Sequence, residues 1–280
     1  MSFIAACVQS TATPDVHADI RVLTDFIRAA AAKGARFIAT PEYCAGLDTK
    51  GGKMFPVAFA EAEHPVLPAM QGLAKELHVW LLIGSIGVRA PDGKIFNRSF
   101  MLSPSGAIAA RYDKIHLFDI DLGEGRTYHE SATIEAGTSA VIAPCVDGTI
   151  GLSICYDIRF PHLYRAYAQA GAEMLAAPAA FTRITGAAHW HVLQRARAIE
   201  NGAYVISPGQ CGTLAGGAEC FGHSLIVDPW GRVLADGGTE PGVVTADIDL
   251  ETVAETRRRI PSLTHDRRFS QTCLDSAKAS

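Results

Sequence analysis

Three short segments of the sequence each place a reactive side chain directly after an apolar run or in a polar break. They are ATPEY at 39–43, RYDKIHLFD at 111–119 and GLSICYDIRFP at 151–161. The reactive groups are the carboxyl of Glu42, the amine of Lys114 and the thiol of Cys155. In layered α/β proteins the residues just past the carboxyl ends of strands line the ligand crevice, and Glu42 and Cys155 occupy such positions. We therefore expect the three groups to share one site.

A thiol, an ammonium and a carboxyl group together suffice for nucleophilic hydrolysis of an amide. A thiol with an ordinary pKa is little ionised at neutral pH, and an adjacent ammonium such as Lys114 favours the thiolate. Glu42 can act as base toward Cys155, as acid toward the departing nitrogen, and as base toward water. Lys114 and the main-chain N–H of Tyr156 can stabilise the oxyanion, because the residue after a nucleophile on a strand-to-helix turn often presents its amide.

Each of the three residues also has an ordinary structural interpretation. A cysteine that ends a buried strand is most often an inert core thiol. Glu42 can cap the turn after Pro41, and Lys114 can be a solvated loop charge. The catalytic hypothesis depends on the three occurring together.

Arg159 is the candidate residue for binding the substrate. It lies four residues past Cys155, so its side chain can reach a ligand held over the thiol. A guanidinium offers a planar, bidentate fork that matches a carboxylate. The alternative is that Arg159 pairs internally with Asp157 or Glu42 and only shapes the site.

The elements that must position these residues alternate between strand-length apolar runs and segments of helical period. Helices are predicted at 20–30, 66–77, 162–170, 187–201 and 250–259, with Gly34 just past the end of the first. Strands are predicted at 3–8, 37–39, 79–83, 95–102, 107–112, 149–154, 174–177, 204–207, 224–227 and 243–248. The tight turn at 103–106 predicts antiparallel pairing of its two flanking strands. Sheets covered by helices, an α/β layered architecture, are the expected result.

Composition excludes several classes of protein. The chain has 280 residues, 48% of them hydrophobic, and a net charge of −4 without a long basic tract, so nucleic acid is not an expected partner. The seven cysteines are odd in number and form no C-x-x-C pair, which argues against a disulfide framework or a zinc knuckle. The first residues lack a basic region, and no apolar run is long enough to span a membrane. We expect a soluble, cytoplasmic protein with free thiols.

Further motifs accompany the three segments along most of the chain. They are YHES at 128–131, GAAHW at 186–190, RARAIEN at 195–201, GHS at 222–224 and DPWG at 228–231. With the Glu, Lys and Cys segments, they resemble the nitrilase superfamily of carbon–nitrogen hydrolases. CYDIRFP and the AHW…RARAIEN block are most similar to the branch that contains ω-amidase and deaminated glutathione amidase.

The resemblance implies a four-layer αββα sandwich, formed as a single domain over residues 1–280. It implies a homodimer or higher homo-oligomer, with the segment of about 250–280 a candidate for the interface. Glu130, by resemblance, would hold Lys114 and orient the substrate amide. The implied substrate is a small amide bearing a carboxylate, and no cofactor or metal is expected. A nitrilase or an N-carbamoyl amide hydrolase of the same superfamily is the alternative.

Two positions depart from the pattern of these relatives. They usually carry Glu where this chain has His162 and His191. Both changes remove a negative charge and leave the three catalytic positions intact. The substrate of the relatives therefore need not be inherited unchanged.

Histidines and glycines elsewhere offer competing interpretations. His189 and His191, with His116 and His129, suggest a metal site, but residues i and i+2 of a helix lie about 200° apart, so we expect a structural His189 and no metal. The segment Gly123-Glu124-Gly125 lacks the third glycine and the preceding strand of a dinucleotide fingerprint, so we expect a flexible loop there.

Two further hypotheses concern the function of the protein. A Cys/His peptidase, with His116 or His223 as base to Cys155, is the rival mechanism. A non-catalytic interaction protein with the same fold would be expected to have lost Glu42, Lys114 or Cys155, and all three are present.

Overall fold

A computed structural model describes residues 2–50, 53–90, 92–123 and 127–271 of the chain. Within these ranges the α-helices are α1 (Val16–Ala32), α2 (Val66–Leu77), α3 (Pro161–Gln169), α4 (Arg183–Asn201) and α5 (Leu250–Arg259). Each overlaps a helix that the apolar spacing predicts. Helix α1 is capped at Lys33, and Gly34 follows with a φ of +84°, which confirms its place just past the helix end.

Twenty strands occur in the same ranges. They are β1 (Ser2–Gln9), β2 (Ala35–Ala39), β3 (Leu47–Lys50), β4 (Lys53–Pro56), β5 (Ala58–Phe59), β6 (Trp80–Arg89), β7 (Ile95–Leu102), β8 (Ile108–Asp113), β9 (Asp119–Asp121), β10 (Thr127–His129), β11 (Ile134–Glu135), β12 (Val141–Cys145), β13 (Gly148–Leu152), β14 (Met174–Ala176), β15 (Tyr204–Ser207), β16 (Cys211–Thr213), β17 (Glu219–Phe221), β18 (Leu225–Val227), β19 (Val233–Asp236) and β20 (Gly242–Asp249). Strands β7 and β8 pair antiparallel around the turn at 103–106, as predicted.

Two large sheets contain most of these strands. The first has the order β11-β7-β6-β2-β1-β20, with β5 beside β6 and β8 beside β7. The second has the order β12-β13-β14-β15-β18-β19. Each has a parallel centre, β1-β2-β6 in the first and β13-β14-β15 in the second. Antiparallel pairs flank each centre: β20 with β1 and β7 with β6 in the first sheet, and β12 with β13 and β18 with β15 in the second.

The alternation of side chains along β1 shows how the layers stack. Phe3, Ala5 and Cys7 lie in the core between the two sheets, whereas Ala6 and Val8 lie in the core under α1 and α2. Helices α3 and α4 cover the other face of the second sheet through contacts with β13 and β15. The order is therefore helices, sheet, sheet, helices, which confirms the four-layer αββα sandwich.

The described cysteines are free and buried: Cys7, Cys44, Cys145, Cys155, Cys211 and Cys220. Cys273, Glu124 and Gly125 lie outside the described residues, so the expected loop at 123–125 falls largely outside them. No helix in the described part of the chain is long and apolar enough to cross a membrane.

Candidate active site

The three predicted residues meet where strands of both sheets end. Glu42 follows β2 and Lys114 follows β8 in the first sheet, whereas Cys155 follows β13 in the second. All three line a cavity of about 330 Å³. Its other walls are largely aromatic and apolar, from Met54, Phe55, Pro56, Phe118, Tyr128, Tyr156 and Phe181. The structure thus brings together three residues that span 113 positions of the sequence, from 42 to 155.

Cys155 begins a 3₁₀ segment, Cys155–Arg159, immediately after a buried strand. Its φ is +48°, a left-handed conformation that is unfavourable for a residue with a side chain. The turn is held because the N–H of Cys155 donates to Pro178 O at 2.8 Å and the N–H of Ile154 donates to Asp157 Oδ2 at 2.8 Å. The amide of Tyr156 lies in the first turn of this segment, where N–H groups lack partners within the helix.

Glu42 is buried, with 3% of its surface exposed, and both of its carboxylate oxygens have partners. Oε1 accepts from Asn97 Nδ2 at 2.9 Å and from Lys114 Nζ at 3.0 Å. Oε2 accepts from the N–H of Ala180 at 2.8 Å, which belongs to the loop after β14 in the second sheet. These contacts fix the carboxylate at the junction of the two sheets.

Lys114 is enclosed rather than solvated, with 2% of its surface exposed. Its Nζ donates to Glu42 Oε1 and to both oxygens of Glu130, at 3.0 and 2.8 Å. Burial opposes the charged amine, but the carboxylates of Glu130 and Glu42 outweigh it and hold the pKa of Lys114 well above its usual range. The interpretation of Lys114 as a solvated loop charge is therefore wrong.

Glu130 occupies the place that the resemblance implies for it. Besides Lys114, its Oε2 accepts from the N–H of Phe118 at 2.6 Å, and Oε1 accepts more weakly from Asn97 at 3.4 Å and from Tyr43 Oη at 3.5 Å. Two carboxylates thus flank one ammonium, and the group of three carries a net negative charge.

Opposing effects act on the pKa of the Cys155 thiol. Burial and then the Glu42 carboxylate raise the pKa of Cys155 well above its usual range, and Lys114 lowers it without compensating. The raised pKa favours the neutral thiol.

Asn97 is a site residue that the sequence reasoning missed. It lies in the middle of β7, is fully buried, and its amide donates to both Glu42 and Glu130. A polar residue within an apolar strand is the signal that was available, because a buried amide requires partners. The N–H groups of Phe118 and Ala180 gave no signal, since any residue carries one.

Arg159 lies beside the cavity without an acidic partner among the described residues. Its guanidinium carbon is 5.7 Å from the ring centre of Tyr156 and 5.4 Å from that of Phe181, two aromatic walls of the cavity. Its Nη2 lies 3.3 Å from His189 Nδ1. The alternative, a pairing of Arg159 with Asp157 or Glu42, is absent from the described contacts, and Asp157 binds Tyr112 and His116 instead.

The histidines considered as bases lie away from the thiol. His116 Nδ1 is 2.7 Å from Asp157 Oδ1, and its ring stacks on Phe160 with 3.6 Å between centres. His223 is 2.8 Å from Asp236. Neither is among the residues that line the cavity with Cys155, so the geometry does not support a Cys/His pair.

The departures from the relatives' pattern fall outside the cavity as well. His162 packs edge-on against His116 and Phe160. His191 lies on α4 with its Nε2 3.0 Å from Asp236 Oδ2. His189 and His191 have different partners, as their spacing on a helix predicts.

Known proteins match the chain over nearly its full length. The family model of the carbon–nitrogen hydrolases matches residues 4–258. The deaminated glutathione amidase of Synechocystis sp. is 40% identical over 268 residues, which cover 94% of this chain and 97% of that protein. The human omega-amidase NIT2 is 38% identical over 260 residues, 93% of each chain. The crystal structure of Saccharomyces cerevisiae Nit3, described as a member of branch 10 of the nitrilase superfamily, has a TM-score of 0.84 at 29% identity and covers 96% of this chain and 97% of that one.

Proposed function

This chain belongs to the carbon–nitrogen hydrolase family of the nitrilase superfamily, and we propose that it is an amidase that works through a thioester on Cys155 without metal or nucleotide. One observation carries the proposal. The Lys114 ammonium lies 3.0 Å from Glu42, and the Cys155 thiol lines the same cavity as both of them. A nucleophile, a base and a cation thus share one site.

In the acylation step, Cys155 Sγ attacks the amide carbon as its proton passes to Glu42. Because the raised pKa of Cys155 favours the neutral thiol, this transfer accompanies the attack rather than preceding it. The oxyanion that forms is stabilised by Lys114 and by the N–H of Tyr156. When the carbon–nitrogen bond breaks, Glu42 returns the proton to the nitrogen, which leaves as ammonia or an amine.

In the deacylation step, a water molecule attacks the thioester carbon and gives a proton to Glu42. The carbon–sulfur bond then breaks, the carboxylic acid departs, and the proton returns to Cys155 Sγ. Asn97 and the N–H of Ala180 hold Glu42 in one position through both steps, since each binds a different oxygen of its carboxylate. Glu130 keeps Lys114 charged and in place.

The substrate we propose is a small amide that bears a carboxylate, such as the ω-amide of a 2-oxo acid or deaminated glutathione. The names of the two relatives described above favour this class. The charges favour one orientation, because Glu42 and Glu130 repel a carboxylate from the inner end. Arg159, beside the Tyr156 and Phe181 walls, and the exposed Lys53, which also lines the cavity, are cations that can hold it there.

Kinetics with a matched set of substrates test the proposal. We expect hydrolysis of α-ketoglutaramate or deaminated glutathione to exceed that of simple nitriles and N-carbamoyl amino acids. Cys155→Ala should lower kcat by several orders of magnitude with an unchanged circular dichroism spectrum, whereas Cys211→Ser should retain turnover. Mass spectrometry should detect an acyl adduct on Cys155. Substantial activity in Cys155→Ala would overturn the assignment of the nucleophile.

We also propose that two copies associate through the outer helical layer. Three large apolar side chains on α4, Ile184, Val192 and Ile199, are 54, 68 and 53% exposed. Their spacing of eight and seven residues places them along one side of the helix. Burying this stripe against a second copy would remove it from water. Light scattering at micromolar concentration should give the mass of a dimer, and a monomer mass would contradict the proposal.

A further inference from the structure

A cluster of three metal-ligand side chains lies outside the catalytic cavity. His191 projects from α4, His223 lies in the turn before β18, and Asp236 ends β19. Asp236 Oδ2 is 3.0 Å from His191 Nε2, and Asp236 Oδ1 is 2.8 Å from His223 Nδ1. One ligand atom from each of the three residues lies within 4.8 Å of the others.

We propose that His191, His223 and Asp236 form a binding site for a divalent first-row transition metal, with zinc as the best match. Two imidazole nitrogens and one carboxylate oxygen are common donors for zinc, which takes water as a fourth ligand at open sites. The site is separate from the proposed catalytic chemistry. The sequence predicted no metal site, because His189 and His191 point to different sides of one helix. The fold instead brings His223 and Asp236, from other elements, beside His191.

The distances between the donor atoms require only a local adjustment for an ion. With zinc–ligand bonds of about 2.0–2.1 Å, tetrahedral donors lie about 3.4 Å apart. The side chains of His191, His223 and Asp236 are 37, 24 and 35% exposed, so they can rotate and a solvent ligand can enter. The ion would take the place of the protons that join the two rings to the carboxylate.

The backbone around the site holds two of the three ligands in place. His223 has a φ of +52°, and its N–H donates to Gly238 O at 2.6 Å. The N–H of Gly238 donates in turn to Asp236 Oδ1 at 2.9 Å. Trp190 Nε1 donates to His223 O at 2.7 Å and thereby ties this turn to α4, where His191 lies. Such outer contacts orient metal ligands and support their affinity.

Calorimetric titration of the full chain with ZnCl₂ tests the site directly. The titration is carried out in the Cys155→Ala background, because a thiol in the catalytic cavity is itself a zinc ligand. We expect one equivalent of zinc to bind. His191→Ala should weaken this binding by about tenfold or more, since loss of even an outer contact typically costs about 10–100-fold. His17→Ala, which removes an exposed histidine on α1, is the matched control and should bind as the parent does.

Cobalt provides a second readout that does not depend on activity. CoCl₂ should give a visible absorption band in the parent and in His17→Ala, and the band should be lost in His191→Ala and in Asp236→Asn. Both tested ligands are partly exposed, and an unchanged circular dichroism spectrum would show that the variants are folded. Absence of zinc binding in the parent, or equal binding in His191→Ala, would overturn the proposal. Removing metal from the active protein with a chelator tests only whether catalysis needs a metal. A negative result in the zinc and cobalt experiments therefore overturns the metal site and leaves the proposed amidase function untouched.

Discussion

At the scale of single residues, the chemistry depends on the proton of the Cys155 thiol and on the base that accepts it. Burial and the Glu42 carboxylate raise the pKa of Cys155, which favours a thiol that gives its proton to a base at the moment of attack. Lys114 is consequently more important for the oxyanion than for the thiolate. Removal of Lys114 would also leave the carboxylates of Glu42 and Glu130, which bind it, without a cation.

Replacing Lys114 and His116 separates this arrangement from a Cys/His pair. Lys114→Ala removes an oxyanion donor and leaves Glu42 and Glu130 without their ammonium, so we expect kcat to fall by about 1,000-fold or more. His116→Ala should retain most of kcat, because Asp157 keeps three other donors, from Tyr112 Oη and from the N–H groups of residues 116 and 154. Steady-state kinetics with melting temperatures would check both. The opposite ranking of the two variants would favour the Cys/His mechanism.

Arg159 is the residue whose replacement should change substrate selection more than turnover. Arg159→Lys keeps the positive charge but loses the bidentate fork, so we expect KM for carboxylate-bearing amides to rise by about tenfold. Neutral amides of similar size should show little change in KM, and they serve as the control. An equal loss on both kinds of substrate, or a large fall in melting temperature, would mean that Arg159 is structural.

The residues of the site could be predicted from sequence only where position along the chain carries information. Glu42 and Cys155 each follow an apolar run, and the structure places both at the cavity. Asn97 and the N–H of Ala180 contact Glu42 across 55 and 138 residues, and no local pattern encodes such pairs. The pKa of the Cys155 thiol depends on burial, Glu42, Lys114 and Glu130 together, and of these the sequence analysis considered Lys114 alone.

At the scale of elements, the turn that carries Glu42 depends on its close packing against β6. The N–H of Thr40 donates to Leu82 O, that of Gly84 to Thr40 Oγ1 and that of Ser85 to Pro41 O, at 2.9, 3.0 and 3.2 Å. A Cβ atom added at position 84 would lie 1.9 Å from Thr40 O and 2.3 Å from Pro41 O. Only glycine permits this approach of two backbone segments.

Alanine substitutions at two glycines test this dependence. Gly84→Ala should displace the turn that carries Glu42, and we expect both a lower melting temperature and a loss of kcat. Gly72→Ala is the matched control, because the added carbon has open space in α2 and the change should stabilise the protein by about 0.5–1 kcal/mol. Denaturant unfolding and kinetics measure both quantities. Full activity in Gly84→Ala would show that the turn has another support.

The elements most easily predicted are those whose apolar pattern is long. Helix α2 and strand β7 have the bounds that the pattern predicts. The hairpin of β3 and β4 was missed, although β4 contributes Lys53 and Met54 to the cavity wall. Its strands have four residues each and mix polar with apolar side chains, so their pairing gives no clear periodic signal.

At the scale of the whole molecule, the four-layer arrangement buries thiols as well as hydrocarbon. Burial raises the pKa of Cys44 to about 12 and raises those of Cys7, Cys145 and Cys220 further. In the unfolded chain these thiols ionise near their ordinary pKa of about 8.5. The sequence predicts free thiols, and the structure confirms them for the described cysteines. Only the packing shows that burial favours their neutral form.

This difference predicts a loss of stability in alkaline solution. A group whose pKa is higher in the folded state contributes its full stability below the unfolded pKa and loses it as the pH rises toward the folded value. Each buried thiol should therefore lower the free energy of unfolding by about 1.4 kcal/mol per pH unit above about pH 8.5. Between about pH 8.5 and 10, below the range in which tyrosines and lysines ionise, the thiols should dominate the slope. Urea unfolding under reducing conditions would measure it.

Two core variants distinguish titration of the thiols from general fragility. Cys44→Ala removes one buried thiol, so the protein should start from a lower stability but lose it less steeply as the pH rises. Ile27→Val also weakens a core position that is fully buried, yet it removes no titratable group and should keep the slope of the parent. If both variants have the parent's slope, ionisation of Cys44 does not contribute. A free energy of unfolding that stays constant to about pH 10 would mean that the buried thiols ionise as readily in the folded protein as in the unfolded chain.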